Sequence, residues 1–485
     1  MLAFDGRTAM VNMVDMNKKF TRTLFATYFL AVPLTESPLL SHAEESPAPQ
    51  SQLTQNDSGL KEPGTAKDSG GPLSENPAYQ HVAVNLDTDG LLYLYFNAEK
   101  TWRALEKKLE SIREMAAADP SLSQNEKNGL RKNFDLGFRL ILNSGLPQVK
   151  AFGVSSREIG PGLFLNKAYA YLPERSGFLW DSLGKAPHVF PFIKMFPENT
   201  EGFAIFDFDL GLLWKAVSRE LARSEIPEVI KWQQLFSQQV QAFTGLDLDD
   251  LLGSLGDQVG VIVTFNRKTM VKIPLGNEQY AMPEPAAALV WKVRNDKLFD
   301  RLDVLLATSS KVAKLDEPDL RMRVLEGPEV MTYLTPTLAR HGDFLIISSS
   351  EMLVRALMDT ESGKAQGIKY SSEFETLASG MPEKGNSVAY VSKRLQKTVA
   401  DIQMRLSHFQ ESGTPLTRAL TAKLSRLSED AAGYIVSGAT QDGWLTTEKT
   451  TRDANEFLGE FLTIPVCYLA VAAVDEIKRT RENEH

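Results

Sequence analysis

The sequence predicts an α+β fold with mostly antiparallel sheet, and three observations lead there. Short apolar runs of strand character are followed by stretches whose apolar residues recur at spacings of 3, 4 and 7, the stripe of an amphipathic helix. Paired strand-like runs then flank tight-turn residues, as at Asp442-Gly443, a strong hairpin signal. The order strand, helix, helix, hairpin occurs three times between about residues 80 and 455. Strands joined by hairpins, with helices between them, belong to the α+β class.

The first unit, residues 80–195, opens with the strand Leu91 to Phe96 (LLYLYF). A helix follows with Trp102, Leu105, Leu109 and Ile112 on one face, then a second around Phe134, Phe138 and Ile141. Strands at 149–155 and 163–172 flank the turn Gly160-Pro161-Gly162. The second unit, residues 196–380, starts with the strand Gly202 to Phe208. Its first helix carries Leu210, Leu213, Trp214, Val217 and Leu221, and its second Val229, Trp232, Phe236 and Val240. Strands at 259–265 and 286–293 are read with a long loop between them. Further elements are inserted here: a helix at 296–306, strands at 320–325, 331–334 and 344–347, and helices opened by the capping-box patterns Ser348/Glu351 and Ser372/Glu375. The third unit, residues 381–455, starts with the strand Ser387 to Val391. Its helix carries Leu395, Val399, Ile402, Leu406 and Phe409, and a second stripe runs through Leu416, Leu420, Leu424 and Leu427. The hairpin 431–440 with 444–450 closes it.

The entries to the second and third units agree residue by residue. Pro197 and Glu198 lead into an Ala204-containing strand as Pro382 and Glu383 lead into an Ala389-containing strand, which reads as a diverged internal repeat. Four segments carry a resemblance: the entry from Phe196 to Thr200, the stretch Leu251 to Gly260 (LLGSLGDQVG), the Phe299 to Leu306 helix, and Gly342 to Leu353 (GDFLIISSSEML). Over about residues 190–400 the chain resembles an uncharacterised family of exported bacterial proteins, a domain of unknown function with repeated α+β units. The resemblance implies export and the repeat, and it supplies no catalytic residues.

The N-terminus reads as an address. Lys18, Lys19 and Arg22 precede an apolar run from Leu24 to Leu34, and Ser41-His42-Ala43 forms a cleavage site, so residues 1–43 are expected to be a secretory signal peptide. The 11 apolar residues fall short of the ~20 needed to span a bilayer. The basic region begins just after Met16, which makes Met16 a candidate start. Residues 44–79 are rich in Pro, Ser, Gly, Asn and Gln and are expected to be a disordered linker, because they have too little apolar surface to offset the entropy of ordering.

Composition removes several functions. The single cysteine, Cys467, excludes an intramolecular disulfide and a Cys-based zinc or iron–sulfur site. It also lies too far from the apolar run of the leader to accept an N-terminal lipid. The net charge of −9, without a long basic run, argues against nucleic acid as a partner.

No constellation of residues announces chemistry. Asp207 and Asp209, at spacing two on a strand, can form a paired acid/base site; the plainer reading makes Asp209 a helix N-cap, with Asn97 and Ser392 in its place in the other units. Asp247, Asp249 and Asp250 suggest calcium, but an EF-hand loop starting there has Leu252 and Gln258 where Gly and Glu are needed, which leaves helix capping. The six histidines, at 42, 81, 188, 341, 408 and 485, are scattered; His408 reads as a helix-surface residue. Gly160 and Gly162 join two strands and so form a turn rather than a phosphate cradle. No catalytic, cofactor-binding or metal-binding residue is assigned.

Strand and helix aromatics, among them Tyr93, Tyr95, Trp102, Phe152, Trp214 and Trp232, serve a core or line an apolar groove. At the C-terminus, residues 456–485 are read as an apolar helix with a charged tail. The run 457–474 contains Glu460 and Pro465 and ends before Asp475 and a basic cluster. It is either a packed or partner-binding helix or a marginal membrane anchor. The expectation is a non-enzymatic exported protein, periplasmic or envelope-associated, that binds a protein partner or a lipid. The alternatives are a periplasmic hydrolase with a spatially assembled site and a C-terminally anchored structural envelope protein.

Overall fold

The computed structural model describes residues 72–275, 278–327, 333–409 and 431–452. These hold 11 α-helices and a single 13-stranded antiparallel sheet. The fold is α+β, and the antiparallel hairpins expected from the turns are its organising element. The three units are not separate domains: their strands share one sheet within one compact body beginning at Pro72.

Chain order runs as follows. Helix α1 (Pro77–Asn85) precedes strand β1 (Leu92–Phe96), helices α2 (Ala98–Ala118) and α3 (Gln124–Ser144), and the hairpin β2 (Ala151–Gly160) and β3 (Leu163–Tyr171). After the short α4 (Phe178–Ser182), β4 (Thr200–Asp207) leads into α5 (Leu210–Ala222), α6 (Pro227–Thr244) and α7 (Leu248–Ser254), then the hairpin β5 (Leu255–Leu275) and β6 (Glu278–Val293). Next come α8 (Lys297–Leu306), the meander β7 (Val312–Glu317), β8 (Leu320–Leu325), β9 (Thr337–His341) and β10 (Phe344–Ser348), and helices α9 (Glu351–Glu361) and α10 (Ser372–Ala378). Strand β11 (Ser387–Val391), helix α11 (Lys393–Phe409) and the hairpin β12 (Gly433–Ala439) and β13 (Gly443–Thr450) complete the described chain. Across the sheet the order is β1-β2-β3-β13-β12-β11-β4-β5-β6-β10-β9-β8-β7.

Several expected boundaries move. The linker expected through residue 79 gives way to helix: Asn76 caps α1 by accepting from Ala78 N at 2.9 Å, and Pro77 takes the first helical position, where its missing N–H costs nothing. The long loop expected between 265 and 286 is instead an extension of the β5–β6 hairpin. Pro283 and Pro285 disguised it. They are tolerated because β10 pairs only with Ala288 to Lys292, leaving this stretch of β6 with β5 as its one strand neighbour. Of the strand expected at 331–334, only Tyr333 and Leu334 are among the described residues, and neither is in a strand; β9 follows them, and there Arg340 hides the alternation by reaching Asp296 at 2.8 Å. Neither predicted capping box forms. Ser348 Oγ accepts from Ser350 N while Glu351 binds Arg355, and α10 starts after Ser371 without a side-chain cap. The box that does form is Ser123 with Glu126, at the start of α3. The second stripe of the third unit (416–427), the signal region, the rest of the linker and the C-terminal run 457–474 lie outside the described residues.

Register makes the two faces of the sheet unequal. One row runs Thr447, Val436, Val388, Ile205, Gly260, Val290, Ile346, Ala339 and Met322 from β13 to β8. Every residue in it is buried. This front face is covered by the 3-10 turn Pro191–Met195 and by α9 and α10, whose Phe192, Leu353, Leu357 and Phe374 form the main core with Phe203 and Tyr390. Toward β1 the same face is covered by α1, with Val82 and Leu86 against Ala151 and Tyr169. The opposite, back face is sealed best at α7 and α8, where Leu252 and Phe299 pack on Leu338 and Leu345.

Leu357 is fully buried in the front core. Leu357→Ala is expected to cost about 2–5 kcal/mol of unfolding free energy, measured by urea denaturation. A loss below about 1 kcal/mol would contradict a close-packed front face.

Candidate functional site

The centre of the sheet is the β4–β11 pair, with Ala204 opposite Ala389. A buried carboxylate stands at each end of it. At one end Asp207 is the last residue of β4. Its carboxylate accepts from Asn386 Nδ2 at 3.0 Å and Gln258 Nε2 at 3.3 Å, and it contacts His188 Nε2 at 2.9 Å. Asn386 also accepts from Ala439 N through Oδ1 and donates to Ala186 O, so one amide ties β4, β12 and the 183–190 connection together. His188 is pinned by backbone as well, exchanging N–H to O bonds with Gly385 at 2.9 and 3.0 Å. Gly184 makes the approach possible: its φ is +83°, and a Cβ there would sit 2.5 Å from the Asp207 carboxylate.

The protonation of His188 follows from its neighbours. Nε2 meets the Asp207 carboxylate and Nδ1 lies 2.9 Å from Val189 O. A carboxylate and a carbonyl are both acceptors, so this arrangement favours the doubly protonated ring, in which both nitrogens donate. Burial pulls its pKa down. The bond to Val189 O and the bond and charge of Asp207, with Asp257 adding to them, outweigh that and hold it above the ordinary 6.5. This geometry differs from that of a hydrolytic triad. There one histidine nitrogen faces the carboxylate and the other faces a nucleophile; here the second nitrogen is occupied by main chain.

At the other end Glu201, buried to 1% exposure, accepts from Ser392 Oγ at 2.6 Å and from Arg267 Nη2 at 3.1 Å, and it also binds Arg394. Ser392 Oγ in turn accepts from Leu395 N and so caps α11. The two ends are built alike: a buried acid on β4 is held by a polar residue flanking β11.

The candidate acids separate. Asp209 caps α5 by accepting from Leu212 N at 2.8 Å and pairs with Arg294 at 3.0 Å, while Asp207 turns to His188. They do not form a paired acid/base site. Asp247 caps α7 through Asp250 N, and Asp250 binds Lys297 at 2.7 Å. Asn97 caps α2 through Lys100 N. Gly160 and Gly162 make the β2–β3 turn. His81 contacts Asp442 at 2.7 Å and stacks on Tyr171; His341 contacts Glu361 at 2.7 Å. His408 lies in α11. Sequence reasoning placed Asp207 but missed its partners. His188 is 19 residues away and Asn386 and Gln258 farther still, so no local spacing joins them. The signal that was available is a histidine inside an apolar, proline-flanked stretch, Pro187 to Phe192.

Of two cavities among the described residues, one lies beside His188. It measures about 220 Å³, is lined by Phe190, Ile193, Val388, Tyr434 and Val436, and is too small for a ligand of ordinary size. A second of about 490 Å³ lies between α3, α4 and α5, with Lys215, Arg219, Arg223, Asp181 and Glu220 around it. Glu220 is paired with Arg139 and Arg223 at 3.4 and 3.2 Å.

The larger apolar surface is the back face. Its central row, Asn166, Glu448, Ile435, Ala389, Ala204, Val261, Leu289 and Ile347, is mostly half-buried, and Ile347 is exposed. Within that row burial raises the Glu448 carboxyl pKa, a shift opposed by a bond from Asn166. The helices on this side leave apolar residues in solvent. Helix α6 has no buried residue at all.

No family model, curated protein or solved structure matches the chain.

A protonated His188 has a pH signature. A histidine whose pKa is raised on folding adds stability that is full below the unfolded value and is lost as pH rises through the folded one. Wild type and His188→Gln are therefore expected to differ in melting temperature at pH 5.5, with the gap shrinking toward pH 8.5. A gap independent of pH would show that His188 is not charged.

Proposed function

We propose that this chain is an exported, non-enzymatic envelope protein that binds a protein partner or an apolar ligand through the back face of its sheet and the helices over it. The observation that carries the reading is the inequality of the two faces. A sheet of this size with one dry face and one half-covered face keeps apolar area available, and contiguous exposed apolar area marks binding surfaces. Trp232 on α6 is 53% exposed and Phe243 78%, although the α6 stripe has the spacing of a core helix. An aromatic pair on one helix face, with Trp232 stacked on Phe236 at 5.5 Å, is the kind of anchor that interfaces use.

The reading also takes in the resemblance to exported proteins with repeated α+β units. The order strand, helices, hairpin in β1–β3 and again in β4–β6 is what a diverged repeat would produce. The occupied nitrogens of His188 weigh against the hydrolase alternative. Among the described residues no helix is long and apolar enough to cross a membrane.

Protein purified without detergent is expected to carry a co-isolating polypeptide or lipid, seen by native mass spectrometry and lipid extraction. The double variant Trp232→Glu/Phe243→Glu should reduce that occupancy about tenfold. Clean wild-type preparations by both methods would end the proposal.

A further inference from the structure

The two ends of the sheet are built differently. Strand β7 at one end carries Lys314, Asp316 and Glu317, with Lys314 on Asp303 at 3.3 Å and Asp316 on Arg323 at 2.5 Å. Charges along a terminal strand discourage a further strand from adding. Strand β1 at the other end reads LYLYF, without charge or proline. It pairs with β2 over five residues in unbroken register. Among the described residues no strand lies on its other side. A row of backbone N–H and C=O groups faces outward there, flanked by side chains that favour extended structure.

Apolar exposure gathers at the same end. Ten of the 21 exposed large hydrophobic side chains fall within residues 73–142. Leu94 and Phe96 on β1 are 47% and 49% exposed, and Leu105, Ile112 and Met115 line an open stripe on α2.

We infer that the β1 edge is a homodimer interface, in which a second copy of this chain adds its own β1 antiparallel across a two-fold axis at Leu94. Two arguments select a second copy. The first is self-complementarity. With Leu94 on the axis, Leu92 meets Phe96 of the partner subunit and Tyr93 meets Tyr95 of the partner subunit, so all cross-strand pairs on both faces are apolar or aromatic. This is the isologous pattern that a two-fold contact requires. The second is charge. The chain is net −9, but residues 91–118 hold five Lys or Arg against four Glu, so two copies meet here without the like-charge repulsion of the remaining acidic surface. Five residue pairs alone fall short of the ~1,200 Å² of a stable interface. The α2 stripe beside the edge is the apolar surface that can extend it.

The test uses the full chain and three variants. Size-exclusion chromatography with light scattering is expected to give twice the monomer mass at micromolar concentration. Leu94→Lys sets two cations opposite each other and should raise the dimer dissociation constant at least 100-fold, with an unchanged far-UV spectrum. In a Cys467→Ser background, Leu94→Cys should form a covalent dimer under mild oxidation, while Ala313→Cys on β7 should not. Should Leu94→Lys fail to fold, the cysteine pair decides. A wild-type monomer at all concentrations, a dimer that survives Leu94→Lys, or equal cross-linking through Ala313→Cys would each overturn the inference. Protection from hydrogen exchange, in a monomer, of the outward-facing β1 amides that are not bonded to β2 would likewise overturn it, since the edge would then be occupied within one chain.

Discussion

The architecture rests on the pairing of β4 with β11. These strands are far apart in sequence, yet they sit side by side at the centre of the sheet and carry the hairpins β5–β6 and β12–β13 on their outer sides. Closing so long a loop costs chain entropy, and five ladder pairs return only a modest net gain at about 1 kcal/mol per hydrogen bond. The buried carboxylates supply what the ladder lacks. Asp207 with Asn386 and Glu201 with Ser392 set the register at both ends, because a slip by one residue would strand a buried charge without its donors. The front core then assembles on a defined surface: Phe203 and Ile205 from β4 stand beside Val388 and Tyr390 from β11, and Phe374 packs edge-on against Tyr390 at 5.3 Å.

From that seam the two faces diverge for a reason visible in the side chains. The front positions of the seam, Phe203, Ile205, Val388 and Tyr390, are large, and the short helices α9 and α10 are pressed onto them. At the seam itself the back positions are small, Ala204 opposite Ala389, with Ile435 and Val261 on either side of them. Small residues leave a shallow surface against which a long helix makes few contacts, and dispersion falls off over less than an ångström. Helices α2 and α6 meet this side without any fully buried large side chain. Their ends are closed by Asn97 before α2 and by the αL glycine Gly245 after α6, and Phe236 and Val240 of α6 pack on the back-face core while only partly buried.

Local pattern exposed much of this in the sequence. The strand–helix–hairpin order, the stripe through Leu210, Trp214 and Val217, the N-cap at Asp209 and the turn at Asp442-Gly443 are short-range features, and each lies where periodicity or turn chemistry placed it. The errors share a physical origin in long-range context. Pro283 and Pro285 argue for a loop unless it is known that β10 stops at Ala288. Thr337 to His341 shows no clean alternation because Arg340 is neutralised by Asp296 from another element. Joining three units into one sheet depends on which strand edges meet, and apolar period carries no information about that. The candidate site was legible only in part. Asp207 stood out, but His188, Gln258 and Asn386 reach it through the fold.

The His188–Asp207 contact shows why a histidine beside a buried acid does not by itself signify catalysis. A general base needs a nitrogen with a free lone pair directed at a reacting proton. In this fold Val189 O takes the second nitrogen, and the bridge to Gly385 fixes the backbone that holds the ring. The same two bonds that remove the base make a clamp. The His188 ring, half in solvent, joins the 183–190 connection to the end of β4, and Gly184 brings that connection within van der Waals reach of the carboxylate. The clamp holds the connection that continues directly into Phe190 and Phe192, the first residues of the front core. The Phe190 ring packs on the His188 ring at 5.0 Å between centroids, so the clamp that ties the 183–190 connection to the end of β4 also meets the first apolar side chain of the front core.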